Sequence, residues 1–137
     1  MITPELIDSV KTHEGYRSKA YTDTEGIWTV GYGQNLQVLE IDEALAEEWL
    51  MRELHVVANE LSEDISFRAL NPVRQGVLIE MGYNLGIAGL KLFRNMWAAI
   101  KTGDWAEAKA QGLDSKWATQ VGQRANTLMD RLESGEW

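Results

Sequence analysis

The stretch from Glu43 to about Leu61 contains neither glycine nor proline and repeats apolar residues at helical spacing. Leu45, Trp49, Val56 and Leu61 form the predicted buried stripe, and Glu47, Glu48, Arg52 and Glu60 line the other side. Asp42 precedes the run as a capping carboxylate. This is the longest helix the sequence predicts. In a chain of 137 residues it acts as a strut joining an N-terminal lobe to a helical C-terminal lobe.

The flanking segments differ in kind. Thr3-Pro4-Glu5 starts a helix: a capping hydroxyl, a proline where its missing N–H does no harm, and an acid near the positive dipole end. Leu6, Ile7 and Val10 mark its expected buried face, and Gly15 its end. Residues 17–22 and 27–32 are rich in Tyr, Thr, Trp, Ile and Val, and Asp23-Thr-Glu-Gly26 between them makes a short hairpin. Beyond the strut, Asn71-Pro72 starts a helix running to about Tyr83 and ending near Asn84-Leu-Gly86. Shorter helices are expected near 92–101, 104–111 and 122–133. The predicted class is α+β, a single domain over 1–137. Its lobes are roughly 12–42 and 62–137 plus helix 1, linked by helix 43–61, with a cleft between.

Composition narrows the chemistry. Hydrophobic residues at 45% and six Trp give ample material for a core, and no cysteine is present for disulfide or thiolate chemistry. His13 and His55 do not have zinc-ligand spacing, and no EF-hand or phosphate loop occurs, so neither metal nor cofactor is expected. Residues 1–64 hold 14 acids against 4 Lys/Arg, and residues 65–137 hold 7 against 9, which makes −10 and +2 of the total −8. That split opposes a nucleic-acid partner, which needs a broad basic patch. The opening MITPELIDSVKTHE lacks the basic and apolar regions of a signal peptide, and no apolar run approaches the ~20 residues of a membrane span. The expected location is the cytosol, with no membrane insertion.

Two acids around the hairpin remain. Glu14 is placed at a helix end, where packing could exclude water and favour its protonated form, while Asp23 sits on a wetter turn rich in N–H donors. Carboxyls pushed apart in this way suit the proton donor and the water-activating base of glycoside hydrolysis. Thr29, six positions after Asp23, could hold a water beside it. Each residue also has an ordinary structural explanation: a surface acid, a favoured turn residue and a good strand residue.

The order of residues adds to this. Glu14-Gly, Tyr21, Asp23-Thr-Glu-Gly26, Thr29-Val-Gly31 and Gly33 resemble the active-site segment of the T-even-type phage lysozymes, glycoside hydrolase family 24. Asn71-Pro-Val-Arg-Gln, Met81-Gly-Tyr-Asn-Leu-Gly86, Asp104-Trp-Ala-Glu-Ala108, Ser115-Lys-Trp117, Arg124-Ala and the final Gly135-Glu-Trp137 follow in family order. The resemblance implies a lysozyme-like fold and a muramidase that acts on peptidoglycan glycan strands. Glu14 would be the general acid, and Asp23 with Thr29 would position the attacking water. It implies substrate contacts at Gly33, Asn35, Tyr83, Asn84, Lys116 and Arg124, with Arg124 beside Glu14 and Lys116 opposite Glu25. Trp105 and Trp117 read as packing residues. The implied protein is a monomeric endolysin, held in the host cytoplasm until a holin-type pore releases it to the periplasm.

The chain departs from the family in several places. Gln34 and Glu53 stand where the family pairs a His with an acid, so an ion pair gives way to at best a neutral hydrogen bond. Only residues 34–41 separate Gly33 from Asp42, where the family has a further strand and a helix, so the first lobe is reduced. Met96 replaces a small polar residue, and the net charge of −8 contrasts with the family's usual basic character. Two other readings are a lytic transglycosylase, which needs no water-activating carboxylate, and a wall-binding homologue with weak turnover.

Overall fold

A computed structural model describes all residues from Met1 to Trp137. The chain divides into two compact units, Met1–Ala46 and Glu47–Trp137.

The first unit begins with α1 (Pro4–Glu14), capped as the sequence predicts: the Thr3 hydroxyl accepts from the Leu6 N–H at 3.2 Å. The chain then forms β1 (Arg17–Thr22), β2 (Trp28–Gly31) and β3 (Gln34–Asn35), an antiparallel sheet in that order. Tyr21 lies opposite Thr29, and Thr29 opposite Asn35. The expected hairpin is therefore extended by a third strand, and the short 34–41 connection still holds one. Two residues suffice because Gln37 and Leu39 turn back on Asn35: its side chain accepts from Gln37 N–H at 2.9 Å and its carbonyl from Leu39 N–H at 2.9 Å.

Two predicted apolar faces are corrected. Leu6, Ile7 and Val10 of α1 are 43–46% exposed rather than buried. In α2 (Glu43–Leu61), Leu45, Trp49 and Val56 are also exposed, and Leu61 alone is buried. The more buried side of α2 carries Leu54, Val57, Ala58 and Leu61, so of the predicted stripe only Leu61 falls on it, and a segment the size of the first unit encloses little around α1. Thr29 is the one buried residue of Met1–Ala46.

The second unit holds the core. After α2 come α3 (Ile65–Arg68), α4 (Pro72–Leu85), α5 (Ile87–Lys91), α6 (Arg94–Thr102), α7 (Trp105–Leu113), α8 (Lys116–Val121) and α9 (Gln123–Ser134). Asn71 caps α4 through the Arg74 N–H at 2.9 Å. In α9, Ala125, Leu128, Met129 and Leu132 recur at three- and four-residue steps and are all buried, which brings the helix against α4, α7 and α8. The α7–α9 contact depends on Gly112, since a Cβ there would collide with the Met129 sulfur. The last carbonyls of α9 are satisfied from α4. Arg74 donates to Leu132 O and Glu133 O, both at 2.8 Å, and Asn71 donates to Gly135 O at 3.0 Å. The Arg74 guanidinium also lies 3.8 Å from the centre of the Trp105 ring, so Trp105 packs as expected.

Candidate active site

Glu14 is the last residue of α1, and its carboxylate is brought back over the turn between β2 and β3. At Gly33, where φ is +76°, a Cβ would stand 2.6 Å from Glu14 Oε2. Only glycine meets both demands there: left-handed backbone and no side chain between the turn and the acid. Gln34 holds the same turn from the other side, its Oε1 accepting from the Tyr32 N–H at 2.7 Å. Glu14 itself is exposed, so the exclusion of water expected at the helix end is not what the structure shows.

Asp23 is built differently. One oxygen, Oδ1, accepts from the N–H groups of Glu25 at 2.8 Å and Ile27 at 2.9 Å, and its own N–H reaches Ile27 O at 2.9 Å. The turn therefore fixes the carboxylate, as an aspartate at the start of an Asx-type turn does, and leaves Oδ2 without a protein donor. Thr29 follows on β2, 5% exposed. Its hydroxyl gives its proton to Ile27 O at 3.0 Å, and its oxygen can still accept. A buried hydroxyl in a unit with no buried apolar residue is more informative than an exposed leucine.

The other expected residues lie as follows. Asn35 is half-buried on β3, and its side-chain oxygen is engaged by Gln37. Tyr83 is 44% exposed on α4, available as a surface ring and not part of the core. Asn84 is exposed as a residue, but its Oδ1 accepts from Trp117 Nε1 at 2.8 Å, which fixes the amide. Trp117 is buried and meets Phe93 edge-on at 6.1 Å. Lys116 opens α8 and is exposed. Met96 is buried, as a packing residue should be.

Sequence reasoning missed three partners: Gly33 as the seat of Glu14, Trp117 as the lock on Asn84, and Glu80. Arg124 donates through Nε to Glu80 Oε1 at 3.0 Å, an ion pair within Glu47–Trp137. A signal for Glu80 was present, because Glu80 and Asn84 are four apart on α4 and so share a helix face.

The sequence pattern of the phage lysozyme family matches residues 11–134. The chain is similar to probable T4-type lysozyme 1 of Dictyostelium discoideum, 23% identical over 93% of each chain. Probable T4-type lysozyme 2 of the same organism is 24% identical over 95% of this chain and 94% of that one. The pre-baseplate central spike protein Gp5 of Enterobacteria phage T4 is 27% identical over 90% of this chain, which spans 26% of that protein. With a match running from the end of α1 to the end of α9, the chain belongs to the phage lysozyme family and is a lysozyme-type glycoside hydrolase of peptidoglycan.

Proposed function

We propose that the protein hydrolyses the β-1,4 bond between N-acetylmuramic acid and N-acetylglucosamine with inversion, using Glu14 as general acid and Asp23 with Thr29 to hold the attacking water. One observation carries the reading: Met1–Ala46 holds two carboxylates in unlike settings, with a buried hydroxyl six positions after the second. Glu14 is exposed and faces bare backbone at Gly33, so a sugar oxygen can approach it. Asp23 is tied by two N–H donors through one oxygen, which fixes the carboxylate in place and leaves the other oxygen for water.

In this reaction Glu14 gives its proton to the glycosidic oxygen as the bond to C1 breaks. Water adds to C1 from the opposite face and passes a proton to Asp23. Thr29 accepts a hydrogen bond from that water, because its own proton is already committed to Ile27 O. Gly33, Asn35, Tyr83, Asn84, Lys116 and Arg124 contribute glycan contacts, with Tyr83 offering a ring face and Asn84 a preset amide. The enzyme acts as a monomeric endolysin that reaches the wall from the cytoplasm through a holin-type pore. No helix of its own is long and apolar enough to cross a membrane.

Product analysis tests the chemistry. Digestion of purified peptidoglycan in ¹⁸O-water should give reducing muramic acid ends that carry the label at C1, first formed as the α-anomer. Anhydro-muramic ends without label would establish a transglycosylase and remove Asp23 and Thr29 from the mechanism.

A further inference from the structure

A groove of about 580 Å³ opens where α2 ends and α6 passes, entirely within Glu47–Trp137. Glu60, Glu63 and Asp64 supply its carboxylates, and Lys91, Arg94 and Lys101 its cations. Between them lie Leu61, Ala98 and the ring of Trp97, whose indole N–H is committed to Leu90 O at 3.1 Å. The glycosidase chemistry above uses none of these residues.

The charges are unpaired. The ion pairs of the protein are Arg52–Glu48, Lys109 with Asp130 and Glu133, and Arg124–Glu80, and no groove residue belongs to one. Three cations and three carboxylates therefore share one concavity without closing on each other. Asp64 is fixed by its cap to the Ser66 N–H at 2.7 Å. That bond is the main reason its carboxyl stays below the usual carboxylate range, with a smaller contribution from the Lys101 ammonium.

The volume falls in the range of small-ligand sites, about 300–1,000 Å³. A neutral sugar here would leave charged groups desolvated without partners. A nucleic acid would meet three carboxylates, and a metal ion three cations. A ligand carrying both signs along an apolar stem matches what is present. We propose that this groove binds a short zwitterionic peptide, the peptide stem attached to muramic acid, with its ammonium toward the Glu60–Asp64 side and its carboxylates toward Lys91, Arg94 and Lys101. The identity of the peptide rests on the peptidoglycan-hydrolase reading. The groove would then anchor the wall by a part of the polymer that is not cleaved.

The test is an NMR titration of the full chain with the free tripeptide L-alanyl-γ-D-glutamyl-diaminopimelate. Saturable shifts at the Trp97 indole and at Lys101 are expected, weakened about tenfold or more by Arg94→Gln and by Glu60→Gln. An acetylated, amidated trialanine should not bind. No saturable shift in the wild-type protein, or equal binding by both variants, overturns the proposal. Walls cleared without any tripeptide binding would sink the groove alone. Tripeptide binding by a protein that clears no walls would sink the hydrolase mechanism and leave the groove standing.

Discussion

Met1–Ala46 and Glu47–Trp137 are stabilised by different means. The second unit contains all 16 buried apolar residues of the protein, from Leu61 to Leu132, drawn from every helix of α2 to α9 and most densely from α4, α6 and α9. The first unit contains none, and its order comes from turns: the Thr3 cap, the Asp23 turn, the Gln34 and Asn35 bonds and the three-stranded ladder. Yet both proposed catalytic carboxylates and Thr29 belong to the first. Burial of apolar surface gives stability without direction, whereas hydrogen bonds to a turn fix a carboxylate in place with one oxygen left over. The proposed chemistry and the apolar core thus fall on separate stretches of chain, and substitutions should separate them.

The largest effect is expected at Asp23. Asp23→Asn should lower the rate of glycan hydrolysis by about 10²–10⁴ while the melting temperature stays nearly unchanged, since the amide oxygen can still accept from Glu25 and Ile27. Rates on isolated peptidoglycan and calorimetry on the same sample check this. In the second unit the effects reverse. Leu78→Ala, at a fully buried position of α4, should cost about 2–5 kcal/mol of stability and leave the remaining folded fraction active. Denaturant titration beside specific activity reads both quantities.

Gly33→Ala tests the boundary between the two behaviours. Left-handed backbone should cost about 1–2 kcal/mol, and the new Cβ must displace the Glu14 carboxylate. Activity should therefore fall further than stability does. Asp64→Ala should lose about 1 kcal/mol through the cap of α3. Because the folded carboxyl titrates below its unfolded value, this contribution is full above about pH 3.9 and lost as pH falls through the folded pKa. The difference in melting temperature between wild type and variant should shrink on acidification in that range. The smallest effect is expected at Leu6→Ala on the exposed face of α1, within about 0.5 kcal/mol. A large loss there would show that the α1 face is buried in solution and would erase the contrast.

Much of the fold could be read from residues with strong local preferences. Thr3-Pro4, Asp42 and Asn71-Pro72 mark helix starts that the structure reproduces, because a cap is a local hydrogen bond. β1 spans residues 17–22, the segment read as the first strand of the hairpin. β3, α3, α5 and α8 were not visible, since elements of two to six residues carry no measurable period. The exposed stripes of α1 and α2 show the other limit: periodicity names an apolar side but not what covers it. At the site, the order Glu14, Asp23, Thr29 was legible by likeness to a family. The Glu14–Gly33 approach and the Arg124–Glu80 pair join residues 19 and 44 apart in sequence, and only the folded chain brings them together.

Glu14→Gln offers the most direct test that this small unit without an apolar core carries the proton donor. Permeabilised Gram-negative cells are treated with wild-type and variant protein, and thermal unfolding is recorded for each. Clearing by the wild type, loss of clearing by the variant and coincident unfolding curves are the predicted result. Clearing by Glu14→Gln at the wild-type rate would contradict it and send the search for the acid to another carboxyl.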